Sequence, residues 1–369
     1  MKKVLFILNN LQGGGAERVI VNIANGYVAA GHEATILLGK QEGVYLDLLD
    51  NRVNIVELGA ITLFDYCRRL PKFLKKYSFS HVITASDYIT CAAVFAKRVN
   101  KIDLTIIATL HYDLSSQLKV LPNLNRIWLK LINKRIISKA DKIIAVSTGV
   151  AKSFTSILSK PSQNLHVIYN PVFDDRINEL AKEEVIDLTS RMNHQHQLVC
   201  IGRLDKGKNQ KLLIEAVNIL SKKGYRLLVY LIGEGSECDN LQNLINKFEL
   251  QESIKLIGYQ NNPFQYISKS NLLVSVSNYE GFGNTLVEAL ALGINVVSTD
   301  CPSGPNEILE GGKFGFLCPV DDAALLSDAI ESALKNPIDS NILKQRAQAF
   351  SIPVIIKKYL DLIQNSCVA

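Results

Sequence analysis

The sequence contains no Cys-x-x-Cys pair, no Asp-x-Asp and no zinc-type or calcium-type ligand spacing. Its seven cysteines (67, 91, 200, 238, 301, 318 and 367) are odd in number and scattered. That argues against a disulfide framework and for reduced, mostly buried thiols in a cytosolic protein. Without Asp-x-Asp, a carboxylate-bound metal holding a diphosphate is not indicated, so neither metal nor other cofactor is expected. No segment reaches the roughly 18 apolar residues that a transmembrane helix needs. The opening MKKVLFILNN has an apolar run of only Val4 to Leu8, and glycines follow at once. It reads as a first β-strand rather than an export signal. No short-period repeat and no low-complexity tract appears. The basic stretches contain no recognised reader pattern, so nucleic acid is not an expected partner.

What is present is length, apolar content and alternation. A chain of 369 residues exceeds one ordinary core and fits two domains. A hydrophobic content of 47% supports compact folding. Strands are expected at Val4–Leu8, Glu33–Leu38, Val53–Leu58, His81–Thr84, Leu104–Leu110, Lys142–Val146 and Leu165–Tyr169. Helices fill the intervals at Ala16–Ala30, Phe64–Tyr77, Tyr88–Val99, Leu121–Lys139 and Thr148–Leu158. Asn170–Pro171 closes this series, and a polar stretch, Asp174 to Gln197, reads as the connection. A second series has strands at Leu198–Ile201, Leu227–Ile232, Ser253–Ile257, Leu272–Val276 and Asn295–Ser298. Its helices are expected near Lys208–Lys222, Glu237–Phe248, Pro263–Lys269, Thr285–Leu292, Asp322–Leu334 and Asn341–Phe350, with a final one at Pro353–Gln364. Such alternation predicts two α/β halves, each a parallel sheet covered on both faces, with a cleft between them.

Charge is unevenly placed. Residues 1–170 hold 22 Lys and Arg against 11 Asp and Glu, and the remainder holds 19 against 24. A basic half suggests an anionic surface or ligand. Two amphipathic stretches concentrate that charge. One is Phe64–Tyr77. The other, Leu114–Ala140, carries Lys119, Arg126, Lys130, Lys134, Arg135 and Lys139, no acidic residue, and Trp128. Basic, aromatic, leucine-rich helices suit an anionic membrane surface; the plainer alternative is a solvated helix face.

The densest chemistry lies in NYEGFGNTLVEALALGINVVSTDCPSGPNEIL, residues 278–309. Glu280 sits in a loop bracketed by Gly281 and Gly283, after one buried strand and before a helix. Glu288 follows eight positions later, where Thr285-x-x-Glu288 also has the spacing of a capping box. Loops at the carboxyl ends of parallel strands are where such sheets bind ligands. In Gly202-Arg203-Leu204-Asp205-Lys206-Gly207-Lys208-Asn209, Arg203 leaves a strand and Lys208 is expected at a helix start. Together they suit a diphosphate, Arg as a fork and Lys as a point charge; the alternative is a surface charge pair. Gln12-Gly13-Gly14-Gly15-Ala16-Glu17-Arg18 lies between the first strand and helix. It is neither G-x-G-x-x-G nor a Walker loop, and suits close backbone approach to a ligand or a plain tight turn. His111 follows a strand at its carboxyl end, as a ligand contact or a satisfied polar residue.

Taken together, Glu280-x7-Glu288, the following Gly293-x-x-Val296-Val297-Ser298-Thr299-Asp300, Gly202-Arg203-Leu204 with Lys208-Asn209, and the Gly-Gly loop before Ala16-Glu17-Arg18 resemble the retaining glycosyltransferases of family 4. The resemblance covers nearly the whole chain. It implies the GT-B fold, two Rossmann-like domains facing across a cleft. Residues 1–171 would form the acceptor-side domain, with helix 353–369 packing back on it, and 172–352 the nucleotide-sugar domain including the linker. It further implies that Arg203 and Lys208 stabilise the donor diphosphate as leaving group. Glu288 would bind the ribose hydroxyls and Glu280 the donor sugar. The backbone of Gly283, Asn284, Thr285 and Leu286 would face phosphate or sugar. Gly14 and Gly15 would approach from the first domain, and His111 would contact the sugar. Cys301-Pro302-Ser303-Gly304-Pro305-Asn306-Glu307 resembles the segment of bacterial enzymes that build capsule, O-antigen, lipopolysaccharide core or lipid-linked glycans. The expected reaction is hexosyl or N-acetylhexosaminyl transfer from a nucleotide-diphosphate sugar, UDP-linked by default, to a membrane-anchored, lipid-linked or lipopolysaccharide or capsule acceptor. The expected location is cytoplasmic, peripheral at the inner face of the plasma membrane. A nucleotide-sugar epimerase or phosphorylase of the same fold, and a non-catalytic donor-binding partner subunit, are the competing readings.

Overall fold

A computed structural model describes residues 3–158, 163–184 and 194–364. These fall into two compact units. One runs up to Val172 and takes up the chain again at Phe350; the other spans Phe173–Ala349.

Among the described residues, the first unit has seven strands: β1 (Lys3–Leu8), β2 (Glu33–Leu38), β3 (Asn54–Glu57), β4 (His81–Thr84), β5 (Thr105–Leu110), β6 (Lys142–Ala145) and β7 (Leu165–Val167). They pair in parallel in the order β3-β2-β1-β4-β5-β6-β7. Phe6 stands opposite Ile36 on one side and Ile83 on the other. Helices α1 (Gly15–Ala29), α2 (Leu63–Lys76), α3 (Asp87–Asn100), α4 (Leu114–Val120), α5 (Asn123–Arg135) and α6 (Thr148–Thr155) make the crossovers. The central strands are apolar at nearly every position because helices cover both faces. Phe6, Ile23, Tyr27 and Ile36 are wholly or almost wholly buried together. Each such side chain contributes about 1.5–3 kcal/mol relative to exposure.

The second unit has six strands among its described residues: β8 (His196–Ile201), β9 (Leu227–Ile232), β10 (Ile254–Leu256), β11 (Leu272–Ser275), β12 (Asn295–Thr299) and β13 (Phe316–Cys318). Their order is β10-β9-β8-β11-β12-β13, again parallel throughout. Its helices are α7 (Arg176–Leu180), α8 (Gln210–Lys222), α9 (Cys238–Lys247), α10 (Phe264–Ile267), α11 (Asn284–Leu292), α12 (Pro305–Ile308), α13 (Ala323–Lys335) and α14 (Ser340–Ala347). The last helix, α15 (Ile352–Gln364), belongs to the first unit. It lies on α1, burying Ile355, Ile356 and Tyr359, and Lys142 Nζ donates to the Leu362 carbonyl at 2.7 Å.

Several expectations need correction. The helix expected over Leu121–Lys139 breaks into α4, α5 and a 3-10 turn at Ile137–Lys139. Pro122 precedes α5, and the residue before a proline is pushed out of the helical region. The connection at Asp174–Gln197 is not all linker. It contains α7, with Ile177 buried, and the first two residues of β8; residues 185–193 lie outside the described residues. Strand β13 was not anticipated, since three residues after a glycine carry no readable alternation.

Candidate active site

In both sheets the strand order reverses once, between β1 and β4 and between β8 and β11. Loops that leave neighbouring strands in opposite directions open a crevice at the carboxyl edge, which is where such sheets take ligands. The candidate residues fall at these two places, except His111, which follows β5 farther along the same edge.

In the second unit, β8 feeds the loop 202–209 and β11 feeds the loop 276–283. Lys208 does not begin a helix as expected. Asp205 Oδ1 accepts from the Gly207 and Lys208 N–H groups, each at 2.9 Å, and Asn209 adopts the left-handed conformation, with φ of 51°. That turn delays α8 to Gln210 and leaves Lys208 in the loop. The two loops are then stitched together. The Asn278 N–H donates to the Gly207 carbonyl at 2.8 Å, and Asn209 Nδ2 donates to Asn278 Oδ1 at 3.0 Å and Asp321 Oδ1 at 2.9 Å.

At the centre of this stitching, Lys208 Nζ donates to Glu280 Oε1 at 2.5 Å. Ser277 Oγ donates to the same oxygen at 2.6 Å, and the Ser277 carbonyl accepts from Thr299 Oγ1 at 2.6 Å. The pair is only partly open to solvent, 29% for the Lys208 side chain and 13% for Glu280. Burial pushes the Lys208 pKa down, but the Glu280 charge and hydrogen bond, aided by Cys301 and Asp205, raise it above the ordinary lysine value. The ammonium is therefore locked on. Burial, then the Glu280 charge, push the Cys301 thiol up to about 12 against the pull of Lys208. Burial alone does the same to Cys200, again to about 12. Both thiols stay protonated near neutral pH and neither is a ready nucleophile.

Arg203 has a different setting. Its side chain is 84% exposed, with Nε 3.6 Å from Asp205 Oδ2. The structure thus brings Lys208 and Glu280 together and leaves Arg203 reaching into solvent from the same loop.

Helix α11 begins at Asn284, not Thr285. Gly283 is its N-cap, in a backbone conformation (φ of 103°) that favours glycine, and no side chain caps it. Thr285 lies inside the first turn, so the capping box expected of Thr285 and Glu288 does not form. Glu288 is 4% exposed on the second turn of α11. The start of α11 turns the positive end of its dipole toward the Glu280 loop. The following segment braces that loop. A Cβ on Gly304 would overlap the Phe282 carbonyl, and the Glu280 N–H donates to the Pro302 carbonyl at 3.3 Å.

The first unit's reversal point is built differently. Helix α1 starts at Gly15 with Gly14 as N-cap, and the Glu17 carboxylate folds back so closely that a Cβ on Gly14 would overlap it. A carboxylate therefore occupies the helix start that the glycine run suggested for a ligand anion. Farther along the edge, Thr109 Oγ1 gives its proton to the Thr84 carbonyl at 2.9 Å. At 2.7 Å it must then accept from His111 Nε2–H, which leaves His111 Nδ1 as an acceptor. Burial lowers the His111 pKa to about 4, so the ring is neutral. Beside it, Tyr112 Oη and Asn133 Nδ2 both donate to Asp87 Oδ2, the latter at 2.9 Å. Burial raises the Asp87 pKa against both bonds.

Sequence reasoning missed Ser277, Asn209, Asn278 and Thr299. Asn209, Asn278 and Thr299 stand in the chosen motifs but carry no role there, and Ser277 lies just before one, with no local pattern that would single it out. Among the described residues, no three His, Cys, Asp or Glu side chains gather where they could hold a metal ion.

The sequence and the fold match known proteins. The model of the family described as Glycosyltransferase Family 4 matches residues 13–176, and that described as Glycosyl transferases group 1 matches residues 182–350. The chain belongs to the GT4-type glycosyltransferases and has their GT-B fold of two Rossmann-like, parallel-sheet domains. It is therefore an enzyme of glycosyl transfer. It is 28% identical over 373 residues to the N-acetylgalactosamine-N,N'-diacetylbacillosaminyl-diphospho-undecaprenol 4-alpha-N-acetylgalactosaminyltransferase of Campylobacter jejuni, covering 95% of this chain and 96% of that one. It is 26% identical to the lipopolysaccharide 1,6-galactosyltransferase of Escherichia coli, over 73% of this chain and 69% of that one. Among solved structures, Anabaena Alr3699/HepE in complex with UDP-glucose superposes with a TM-score of 0.81 at 21% identity, over 99% of this chain and 100% of that one.

Proposed function

We propose that the chain is a retaining glycosyltransferase that moves a sugar from a UDP-sugar to a membrane-anchored, lipid-linked acceptor at the cytoplasmic face of the membrane. The observation that carries this reading is the Lys208–Glu280 pair at the second unit's reversal point. An ammonium has three protons, and Glu280 takes one, so two remain for phosphate oxygens. Glu280 Oε1 receives both Lys208 and Ser277, which leaves Oε2 for sugar hydroxyls. One ion pair can therefore hold the diphosphate and the sugar that is to leave it.

Arg203, exposed on the same loop, is assigned to the diphosphate as a fork. Glu288 is assigned to the ribose, and the start of α11, from Gly283 to Leu286, to phosphate or sugar. Gly14, Gly15 and His111 are assigned to the sugar side, with neutral His111 accepting a hydroxyl proton at Nδ1. In the reaction the anomeric carbon–oxygen bond to the diphosphate breaks and the acceptor hydroxyl oxygen bonds to the same face of that carbon. The acceptor proton passes to the departing phosphate oxygen, so no enzyme nucleophile is needed. Lys208 and Arg203 stabilise the charge that develops there without a metal. The names of the Campylobacter jejuni and Escherichia coli relatives support an acceptor on a lipid.

The test is incubation with a panel of nucleotide sugars, with and without an undecaprenyl-diphosphate-linked acceptor. Nucleotide release that depends on the acceptor, and falls steeply in Arg203→Ala, supports the reading. Interconversion of the sugar alone, or full activity in Arg203→Ala, overturns it.

A further inference from the structure

Arg346, on α14, keeps its charge largely out of water: its side chain is 14% exposed. The guanidinium is used on three sides. Nε donates to the Ile308 carbonyl at 2.8 Å, Nη2 donates to the Glu307 carbonyl at 2.7 Å, and Nη1 pairs with Glu310 Oε1 at 2.7 Å. The Phe314 ring covers it, with its centroid 5.4 Å from Cζ. Taking a cation out of water is unfavourable unless its protons are met this fully. Helix α12 supplies the reason for it. With four residues, Pro305–Ile308, it has no further turn to receive its last carbonyls. Arg346 caps that end, with the sign of charge that a helix C-terminus favours.

The capped helix and the residues leading into it back the Glu280 loop at three places. The Pro302 carbonyl accepts from the Glu280 N–H at 3.3 Å. Gly304, at φ of 100°, presses on Phe282 so closely that a Cβ would overlap the Phe282 carbonyl. Ile308, wholly buried, reaches the end of the loop, where a Cβ on Gly283 would lie 3.7 Å from Ile308 Cδ1. Helix α14 is itself well anchored. Leu343 and Ala347 are wholly buried, and Ser340 Oγ sits so near Gly293, at the end of α11, that a Cβ there would overlap it. We infer that Arg346 is a positioning residue for the transfer reaction. Through the Glu307 and Ile308 carbonyls it fixes α12, and through α12 it fixes the backbone that aims the Glu280 carboxylate.

A plainer role is bulk stability, an arginine that merely ties α14 to α12. The two roles differ in what loosens when the clamp is lost. A brace for stability alone lowers the melting temperature and leaves the folded molecules with ordinary turnover. A positioning residue releases residues 278–284 far below melting, and its loss falls on the step in which Glu280 holds the sugar. Binding of the bare nucleotide should be spared, because the turn that presents Lys208 is made by Asp205 and Asn209 rather than by α12. The link from Arg346 to the Glu280 backbone stands on geometry; the consequence for the sugar rests on the proposed function.

Arg346→Met keeps a stem over Phe314 and removes every donor. Hydrogen exchange read by peptide mass spectrometry, on the full chain without ligand, should show peptides over 278–284 and 302–309 exchanging at least about fivefold faster, with 202–209 within about twofold of wild type. With the UDP-sugar and acceptor that support turnover, kcat should fall about tenfold, as small misplacements remote from the chemistry do. UDP affinity by calorimetry should stay within about twofold of wild type. Arg346→Lys, which keeps the cation and one donor for a carbonyl, should recover part of both the exchange and the kcat loss. Should Arg346→Met fail to fold, Arg346→Lys carries the same comparison at smaller amplitude. Unchanged exchange over 278–284, a lowered melting temperature with wild-type kcat, or UDP affinity lost as steeply as kcat would each overturn the inference. Faster exchange over 278–284, beside a wild type that turns over no nucleotide sugar, would sink the transferase reading and leave the clamp intact. Unchanged exchange beside an active wild type would do the reverse.

Discussion

The two units share one strand order and treat its reversal point in opposite ways. In the second unit a lysine and a glutamate, 72 positions apart in the chain, meet at 2.5 Å and are braced by Ser277, Asn209 and Asn278. In the first unit a carboxylate, Glu17, closes over the helix start, and the nearest functional group along the edge is a neutral histidine. The more basic half of the sequence is thus not the one with a built cation at its crevice. Its positive charge lies on helix surfaces instead, around α2 and α5. Net charge of a region and the charge of its site are separate properties, and here they diverge.

That contrast can be broken at four points, in falling order of effect. Lys208→Ala removes the part-buried cation that Glu280 holds at the second unit's reversal point. Turnover should fall about 100- to 1,000-fold, the usual loss when a charge-stabilising group is removed. Initial rates of nucleotide release with acceptor present check this, beside a melting curve that shows the chain still folds.

Glu280→Gln keeps a partner for Ser277 but removes the charge that faces Lys208. Turnover should fall about tenfold or more. Stability supplies a second readout. The folded Lys208 pKa is raised, so its stabilisation is complete below the ordinary 10.5 and lost as pH climbs through the folded value. Urea midpoints should show the gap between wild type and variant widest below 10.5 and closing above it.

His111 should show the opposite pH sense. Its pKa is lowered from 6.5 to about 4, so its contribution is present above 6.5 and lost as pH falls toward 4. His111→Gln should therefore lose less stability than wild type over that interval, again by urea midpoint.

The smallest effect compares helix starts. In α2, Thr62 accepts from the Asp65 N–H, and Asp65 accepts from Thr62, forming a capping box. Thr62→Ala should cost about 1 kcal/mol. Thr285→Ala, which removes no cap, should stay within about 0.5 kcal/mol. Equal losses in thermal unfolding would show that the α11 start has been misread.

These cases also show what a sequence carries and what it withholds. Strands such as Val4–Leu8 and Leu227–Ile232 are legible because burial on both faces writes them as unbroken apolar runs. Helix starts are legible only when a side chain makes the cap. Thr285-x-x-Glu288 has the spacing of a box, but glycine in a left-handed conformation does the capping one position earlier. Lys208 looked helical because Asp205 and Asn209, which hold it in a turn, are equally common in helices' first turns. Glu280 and Lys208 were each recognisable from local chemistry. Their pairing was not, because it depends on β8 and β11 lying side by side, a property of sheet order rather than of either segment. The apolar side of α5 was visible as an amphipathic pattern, yet only the fold shows that Leu124, Ile127, Trp128 and Leu131 are exposed.

The central claim is that the second unit's reversal point binds a nucleoside diphosphate through Lys208. Titration calorimetry with UDP and with GDP tests it on wild type and Lys208→Ala. The account predicts that wild type binds one of the two and that the variant binds it at least about tenfold more weakly, as expected for loss of a charged hydrogen bond. Equal affinity in both proteins, or no binding of either nucleotide by wild type, would contradict it.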